Sequence, residues 1–137
     1  MPAHRAAHIG EIEQRLSGES DVWRPVRHAL GVTGFGVNVF CARDAGDEAI
    51  EDHTELEEDC GRHEELYFVV AGHAEFTIDG ERVNAPEGTF VFVPDPASRR
   101  LAVGREPGTE VLCIGALPNA APRSPWEARH LTGDGAG

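Results

Sequence analysis

The chain has 137 residues, enough for one domain of ordinary size, and 40% of them are hydrophobic, which is typical of a globular protein. Acidic residues outnumber basic ones by 24 to 12, so the formal net charge is −12. Binding to nucleic acids or to anionic membranes needs clusters of basic side chains, and this balance argues against both partners.

The N-terminal segment carries a helical signal before any strand pattern begins. Apolar residues at helical spacing predict a short amphipathic helix over residues 8–16. A second helical turn is predicted over residues 26–30, where Gly31 supplies the stop. We therefore predict an N-terminal helical segment, residues 1–30, that packs on the main domain.

From residue 31 the pattern changes to alternating apolar residues and short apolar runs, which predict β-strands. Asp79 and Gly80 have the sequence of a two-residue hairpin turn between two of these strands. The predicted strands cover residues 33–41, 47–55, 64–71, 73–79, 82–85, 89–94, 99–104 and 109–116. Short strands at this spacing predict an all-β fold, an antiparallel barrel or sandwich over residues 31–117, followed by an irregular tail over residues 118–137.

Some predicted strands carry apolar side chains on both faces. In strand 64–71, Tyr67 and Val69 alternate with Leu66 and Phe68. A barrel has only one interior, so the second face needs a cover, either the N-terminal segment or a second copy of the chain. We favour a homodimer formed through this outer sheet face.

The cysteines of the chain follow neither a disulfide nor a zinc-finger pattern. There are three of them, an odd number, and none has the close spacing of a metal-binding motif. The sequence begins without the apolar region of a signal peptide, and no apolar run is long enough to span a membrane. We therefore expect a cytoplasmic protein.

Two stretches of the sequence resemble known motifs. In residues 63–72, HEELYFVVAG, Glu65 precedes Gly72 by seven positions. Further along, Gly80 precedes residues 86–96, PEGTFVFVPDP. These stretches resemble the first and second motifs of the cupin superfamily. The resemblance implies a small cupin domain, residues 31–117, folded as an antiparallel jelly-roll barrel with a cavity for a small molecule. It leaves the reaction open because the fold hosts many chemistries.

Most of the metal ligands that the resemblance implies are missing. Metal-binding cupins carry a His-x-His pair shortly before the glutamate and another histidine after the second motif. At that spacing the pair falls on Asp59 and Gly61, or on Glu58 and Cys60, and the later histidine falls near Arg99. Of the four expected ligands, only Glu65 is in place.

The first hypothesis is a cavity without a metal or another cofactor. Arg99 shares strand parity with Leu101 and Val103 and is expected to point into the barrel. Its permanent charge would repel a divalent cation there and would pair with Glu65 or with a carboxylate of a ligand. Tyr67 and His63 would line the same pocket.

The second hypothesis is a relocated metal site. His53, His63 and Glu65 would supply two imidazoles and one carboxylate, a set suited to Fe or Mn, with Ni and Zn as further candidates. Glu55 would be a fourth ligand. His53 has the opposite strand parity to Ile50, so it should face away from the core unless a β-bulge intervenes.

The hypotheses predict different functions. The first predicts a barrel that binds a small molecule without the usual metal site, and this is the function we expect. The second predicts a metal-dependent oxygenase or isomerase, in which the metal would activate oxygen or polarise a carbonyl group. A third hypothesis is a non-enzymatic interaction domain whose acidic surface meets a basic partner.

Overall fold

The computed structural model describes residues 3–17 and 21–131, and most of its regular structure is β-strand. Within these ranges a 3₁₀ turn, Ile9–Glu11, comes first along the chain. The strands are β1 (Arg15–Ser17), β2 (Asp21–Arg24), β3 (Gly36–Ala42), β4 (Glu48–His53), β5 (Glu64–Ala71), β6 (His73–Ile78), β7 (Glu81–Pro86), β8 (Phe90–Val93), β9 (Arg100–Gly104) and β10 (Thr109–Ala116). The helices are α1 (Val26–Leu30) and α2 (Pro125–His130). Neither helix has the length or the apolar character needed to cross a membrane, and the described ranges contain no other candidate.

Two antiparallel sheets enclose the core. One has six strands in the order β1-β2-β3-β10-β5-β8, and the other has four in the order β4-β9-β6-β7. The cluster of buried side chains that they enclose includes Tyr67, Val69 and Phe76, none of them more than 1% exposed. This architecture confirms the prediction of an all-β, antiparallel jelly-roll barrel with a short helix near its N-terminus.

The eight predicted strands correspond to β3 to β10, each within a few residues of the predicted bounds. Alternation is visible in the burial of β10, in which every second residue is buried. Asp79 and Gly80 both have positive φ angles, 49° and 83°, as the two central residues of a type I′ turn require. The hairpin predicted there joins β6 to β7.

The predicted helix over residues 8–16 is wrong. This segment forms the 3₁₀ turn and then strand β1, which pairs with β2 at the edge of the large sheet. The apolar residues behind the prediction do not share one face, since Ile12 is 7% exposed and Leu16 is 56% exposed. The helical turn over residues 26–30 is confirmed as α1, which ends at Gly31 with a φ angle of 70°.

The described part of the tail, residues 118–131, contains a helix that was not predicted from the sequence. Helix α2 begins after Ser124, whose side-chain oxygen accepts a hydrogen bond from the amide of Glu127. Trp126 stacks on His130 within the same helix and is 64% exposed. Local contacts within the helix therefore account for its order.

The outer face of the large sheet is covered over one half. Ile9 and Val26, from the N-terminal segment, pack on the buried cluster around Val39. Over β8 the same face carries large exposed side chains, with Phe90 66% and Phe92 52% exposed. The N-terminal segment thus covers the β2–β3 half and leaves the β8 edge open.

Candidate functional site

A cavity of about 670 Å³ opens into the barrel, lined by residues of β3, β4, β5, β10 and the loop after β4. Its size lies within the range of roughly 300–1,000 Å³ typical of small-molecule sites. Glu65, Tyr67 and Cys113 line its buried side, and Trp23 and Phe40 contribute an aromatic wall. The cavity is therefore a pocket with a polar interior.

Four ionisable side chains singled out from the sequence converge in this cavity. Nε2 of His53 lies 3.1 Å from Oε2 of Glu55 and 3.9 Å from Oε1 of Glu65. Nδ1 of His63 lies 3.8 Å from Oε1 of Glu55. Both carboxylates are buried, with Glu55 4% and Glu65 9% exposed. Two imidazoles and two carboxylates thus share one small volume.

A register shift in β4 brings His53 into the site. Ile50 pairs with Ala102 and His53 pairs with Arg100, so three residues along β4 correspond to two residues along β9. The extra residue forms a bulge, and a bulge reverses the parity of the residues that follow it. The expectation that His53 faces away from the core assumed a strand without a bulge. It is wrong, because the bulge turns His53 into the cavity.

The backbone fixes how the His53 ring is oriented. Nδ1 lies 2.6 Å from the carbonyl oxygen of Glu51. A carbonyl oxygen can only accept, so Nδ1 carries a proton, and Nε2 is the nitrogen that faces Glu55. The hydrogen bond to Glu55 raises the pKa of His53 above its ordinary value, although burial acts in the opposite direction.

Glu55 is held by hydrogen bonds on both its side chain and its backbone. Burial acts to raise the pKa of its carboxyl group, but hydrogen bonds from His53 and from the amide of His63 outweigh burial and lower the pKa. The amide of Glu55 donates to the carbonyl oxygen of Pro96 at 2.8 Å. The carboxylate is therefore ionised and fixed in place inside the cavity.

Glycines leave the space that the His63 ring occupies. A Cβ atom built on Gly61 would lie 2.6 Å from Nε2 of His63, and one built on Gly115 would lie 2.8 Å from Nδ1. Such distances are shorter than real Cβ contacts allow. A methyl group at either position would therefore displace the ring from its place between Gly61 in the loop and Gly115 on β10.

The prediction that Arg99 points into the barrel is wrong by one residue. Arg99 is largely exposed, and its Nε lies 3.0 Å from Oδ1 of Asp52 on the surface. Arg100 is fully buried, and its NH1 donates to Oε1 of Glu65 at 3.1 Å. In β9 the buried positions are Arg100, Ala102 and Gly104. After Arg100, the inward face of this strand therefore carries small residues.

Arg100 and Glu65 form the centre of a buried polar network. The remaining donors of Arg100 bind backbone carbonyl groups, among them those of Asp95 and Ser98. Oε1 of Glu65 also accepts from the hydroxyl of Tyr67, as expected for a tyrosine in the pocket wall. The guanidinium is therefore used by the protein itself and does not offer a free fork to a ligand.

Two cysteines join the site: Cys60, which one alignment of the motif had put at a ligand position, and Cys113, which the sequence had not indicated as a site residue. Sγ of Cys113 lies 3.2 Å from Oε2 of Glu65, and Cys113 pairs with Tyr67 across β5 and β10. Cys60 lies beside His53 and Glu55, and burial together with nearby carboxylates raises its pKa to about 11. The signal for Cys113 was its strand parity, whereas nothing in the sequence places the loop that carries Cys60.

The donor set fits a divalent cation of the first transition series. Glu55, His63 and Glu65 each offer one ligand atom, and these atoms lie within 4.8 Å of one another. His53, Glu55 and Cys60 form a second such group that shares Glu55. Imidazole nitrogens and carboxylate oxygens are the ligands of Fe and Mn sites, and the carbonyl group behind His53 is the kind of partner that orients a metal-binding histidine.

Comparisons with known proteins agree with this architecture. No family model and no curated protein matches the sequence. Among solved structures, a cupin protein from Bacteroides fragilis matches with a TM-score of 0.66 and 17% identity over 93% of this chain and 95% of that chain. A sugar phosphate isomerase from a cupin superfamily, from Silicibacter pomeroyi, matches with a TM-score of 0.66 and 17% identity over 88% of this chain and 77% of that one.

A third structure, KdgF from a Halomonas species, matches with a TM-score of 0.62 and 19% identity over 77% of this chain and 88% of that one. These likenesses show the fold: a jelly-roll barrel of the cupin type. The expected cupin fold is confirmed, and the candidate ligands lie in the cavity of that barrel.

Proposed function

We propose that the protein binds a small molecule in its barrel cavity and that a divalent cation, Fe or Mn, is held there by His53, Glu55, His63 and Glu65. The observation that carries the proposal is the convergence of these two imidazoles and two carboxylates. A bound metal would polarise a carbonyl group or activate oxygen, which are the chemistries of an isomerase or an oxygenase. This is the second of the hypotheses raised by the sequence.

Arg100 is compatible with this proposal because of where its charge is used. Its contact is with Oε1 of Glu65, the same oxygen that accepts the hydroxyl of Tyr67. Oε2 accepts the thiol of Cys113, which is a weak donor and leaves lone pairs for a metal. Arg100 would thus position Glu65 and reduce the negative charge of the site, and Glu55 would compensate as an additional carboxylate.

The solved structures support a small-molecule function in general terms. One of them is described as a sugar phosphate isomerase, and what it shares with this chain is the fold. The cysteine pattern and the charge of −12 support a cytoplasmic protein that binds neither nucleic acid nor anionic membranes. A non-enzymatic interaction domain would not need ionisable groups aimed into a cavity.

Metal binding tests the proposal. Protein purified without chelators is expected to contain stoichiometric Fe or Mn, and chelated protein is expected to bind Co²⁺ with visible absorption bands. His53→Ala and His63→Ala each remove one nitrogen ligand and should weaken Co²⁺ binding by at least about tenfold. His73→Ala is the matched control, because His73 bonds to Asn84 outside the cavity and should have no effect.

A second variant tests the site without removing any of the proposed ligands. Gly115→Ala introduces a methyl group into the space of the His63 ring and should also weaken Co²⁺ binding, whereas Gly34→Ala, with open space around it, should not. Protein without stoichiometric metal and without detectable Co²⁺ binding would contradict the metal site. The function would then be small-molecule binding in a metal-free cavity, in which Glu65 pairs with Arg100.

We further propose that the protein is a homodimer through the open half of the large sheet. Phe90 and Phe92 on edge strand β8 are more than half exposed, and the ring of Phe90 packs on Phe68 to form a continuous apolar patch. Light scattering should give twice the mass of the chain, and Phe92→Glu should give a monomer. Leu117→Glu, at a similarly exposed apolar residue, is the control. A monomeric mass for the unmodified chain would contradict the dimer.

A further inference from the structure

The charge of the cavity points to the kind of molecule that it binds. Among the described residues that line it, carboxylates outnumber arginines by seven to one. The arginine is Arg27, and the carboxylates are those of Glu51, Asp52, Glu55, Glu57, Glu58, Asp59 and Glu65. Arg99 and Arg100 pair with Asp52 and Glu65 from outside the lining, and the balance remains negative after both are counted.

The aromatic wall of the cavity offers ring surface to a ligand. Trp23 and Phe40 both line the cavity, and their rings stack with centroids 6.4 Å apart. Nε1 of Trp23 and Oδ1 of Asn38 have no hydrogen-bond partner within the protein, but both atoms have almost no accessible surface, so a ligand in the cavity does not reach them. The wall therefore contributes aromatic surface to binding.

We propose that the ligand is a small organic cation that carries a protonated amine, and that the cavity rejects phosphate and carboxylate compounds. This inference rests on the proposed function in one respect, that the cavity binds a small molecule. Carboxylates attract an ammonium group, and the aromatic rings of Trp23 and Phe40 on the same cavity wall suit a cation.

An arginine in the pocket, or the likeness to a sugar phosphate isomerase, would suggest an anionic ligand instead. Arg100 donates its hydrogen bonds to Glu65 and to backbone carbonyl groups. Two donors of Arg27 likewise bind the carbonyl oxygens of Val32 and Thr33. The sequence contains no lysine that could replace them. Phosphate recognition, implied by the description of one similar structure as a sugar phosphate isomerase, is therefore not expected here.

A metal in the cavity would leave this selectivity in place. The proposed ligands use Glu55 and Glu65, whereas Glu57, Glu58 and Asp59 line the cavity outside that set. Their field acts on any charged molecule that enters, with or without metal. The preference for a cation is therefore expected in both the chelated and the metal-loaded protein, so it can be tested separately from metal binding.

The experiment compares matched molecules that differ in charge. Glucosamine, glucose and glucose 6-phosphate form one series, and putrescine, butanediol and succinate form another. Binding is followed by the fluorescence of Trp23 in a Trp126→Phe background, in which Trp23 is the sole tryptophan. In at least one series the cation should bind at least about tenfold more tightly than the neutral compound, and the anion most weakly. This advantage should shrink between about 0.01 M and about 1 M ionic strength.

Variants test whether the lining carboxylates cause the preference. Glu58→Gln with Asp59→Asn removes two charges from the cavity and should lower cation affinity severalfold. Glu81→Gln with Glu87→Gln removes the same charge far from the cavity and should not. Equal binding across both series, tighter binding of either anion, or no saturable binding of either cation would overturn the proposal. A preserved cation preference in protein that fails to bind Co²⁺ would overturn only the metal site.

Discussion

Replacing Arg100 with methionine is expected to lower the free energy of unfolding by about 3–5 kcal/mol, because it leaves the buried carboxylate of Glu65 without its cationic partner. The side chain of Arg100 is fully buried, and that of Glu65 is 11% exposed. The substitution also removes the donors that bind the carbonyl groups of Asp95 and Ser98. Urea unfolding followed by circular dichroism measures the loss, with the midpoint shifting and the slope unchanged.

Arg99→Met is the matched control, one position earlier in the chain. Arg99 pairs with Asp52 on the surface, where ion pairs contribute little, so the loss should stay below about 1 kcal/mol. The double variant Arg100→Met/Glu65→Leu should recover part of the stability lost in Arg100→Met, since it removes the unpaired charge as well. Equal losses in the two single variants would contradict the assignment of Arg100 as the buried arginine.

The adjacent arginines show why the site could be predicted from the sequence only in part. Strand β9 was predicted correctly, but its inward face was not, because parity was read from its larger apolar residues. At the inward positions the backbone approaches its neighbours closely: a Cβ atom on Gly104 would lie 2.6 Å from Cβ of Ala42. Small residues therefore occupy the interior there, and hydrophobicity alone points to the wrong face.

His53 illustrates a second limit. Its strand was predicted, and its residue type marked it as a candidate ligand, but its direction depends on one bulged residue between Ile50 and His53. A bulge leaves no clear pattern in a single sequence, because it changes parity without changing composition. Glu65 and Tyr67 were easier to place, since both lie on a regular strand with strict alternation of burial.

The helix predicted over residues 8–16 failed for a related physical reason. Helical spacing in a short segment is a weak signal when a neighbouring strand offers backbone hydrogen bonds. Strand β2 provides them, and Arg15, Leu16 and Ser17 pair with it. The eight strands of the barrel were predictable because alternation, turn residues and long-range packing all favour the same structure.

The glycine that ends the first motif is expected to tolerate no side chain. Gly72→Ala should lower the free energy of unfolding by about 2–5 kcal/mol, from two separate effects. Gly72 has a φ angle of 80°, which costs an alanine conformational energy. Its Cβ atom would also overlap Oγ1 of Thr109 and lie 2.8 Å from Cα of the same residue, so the buried backbone would have to move.

The contact with Thr109 matters because this residue joins two loops. Its side-chain oxygen accepts from the amide of His73 at 3.2 Å and donates to the carbonyl group of Glu106 at 2.8 Å.

Gly80→Ala is the matched control, since Gly80 has a φ angle of 83° but open space where a Cβ would lie. It should cost only the conformational part, about 1–2 kcal/mol. Thermal and urea unfolding of both variants measure the difference. Equal losses would mean that the motif glycine is needed for its backbone angle alone, whereas a larger loss in Gly72→Ala would show that close packing of the β5–β6 turn on Thr109 requires it.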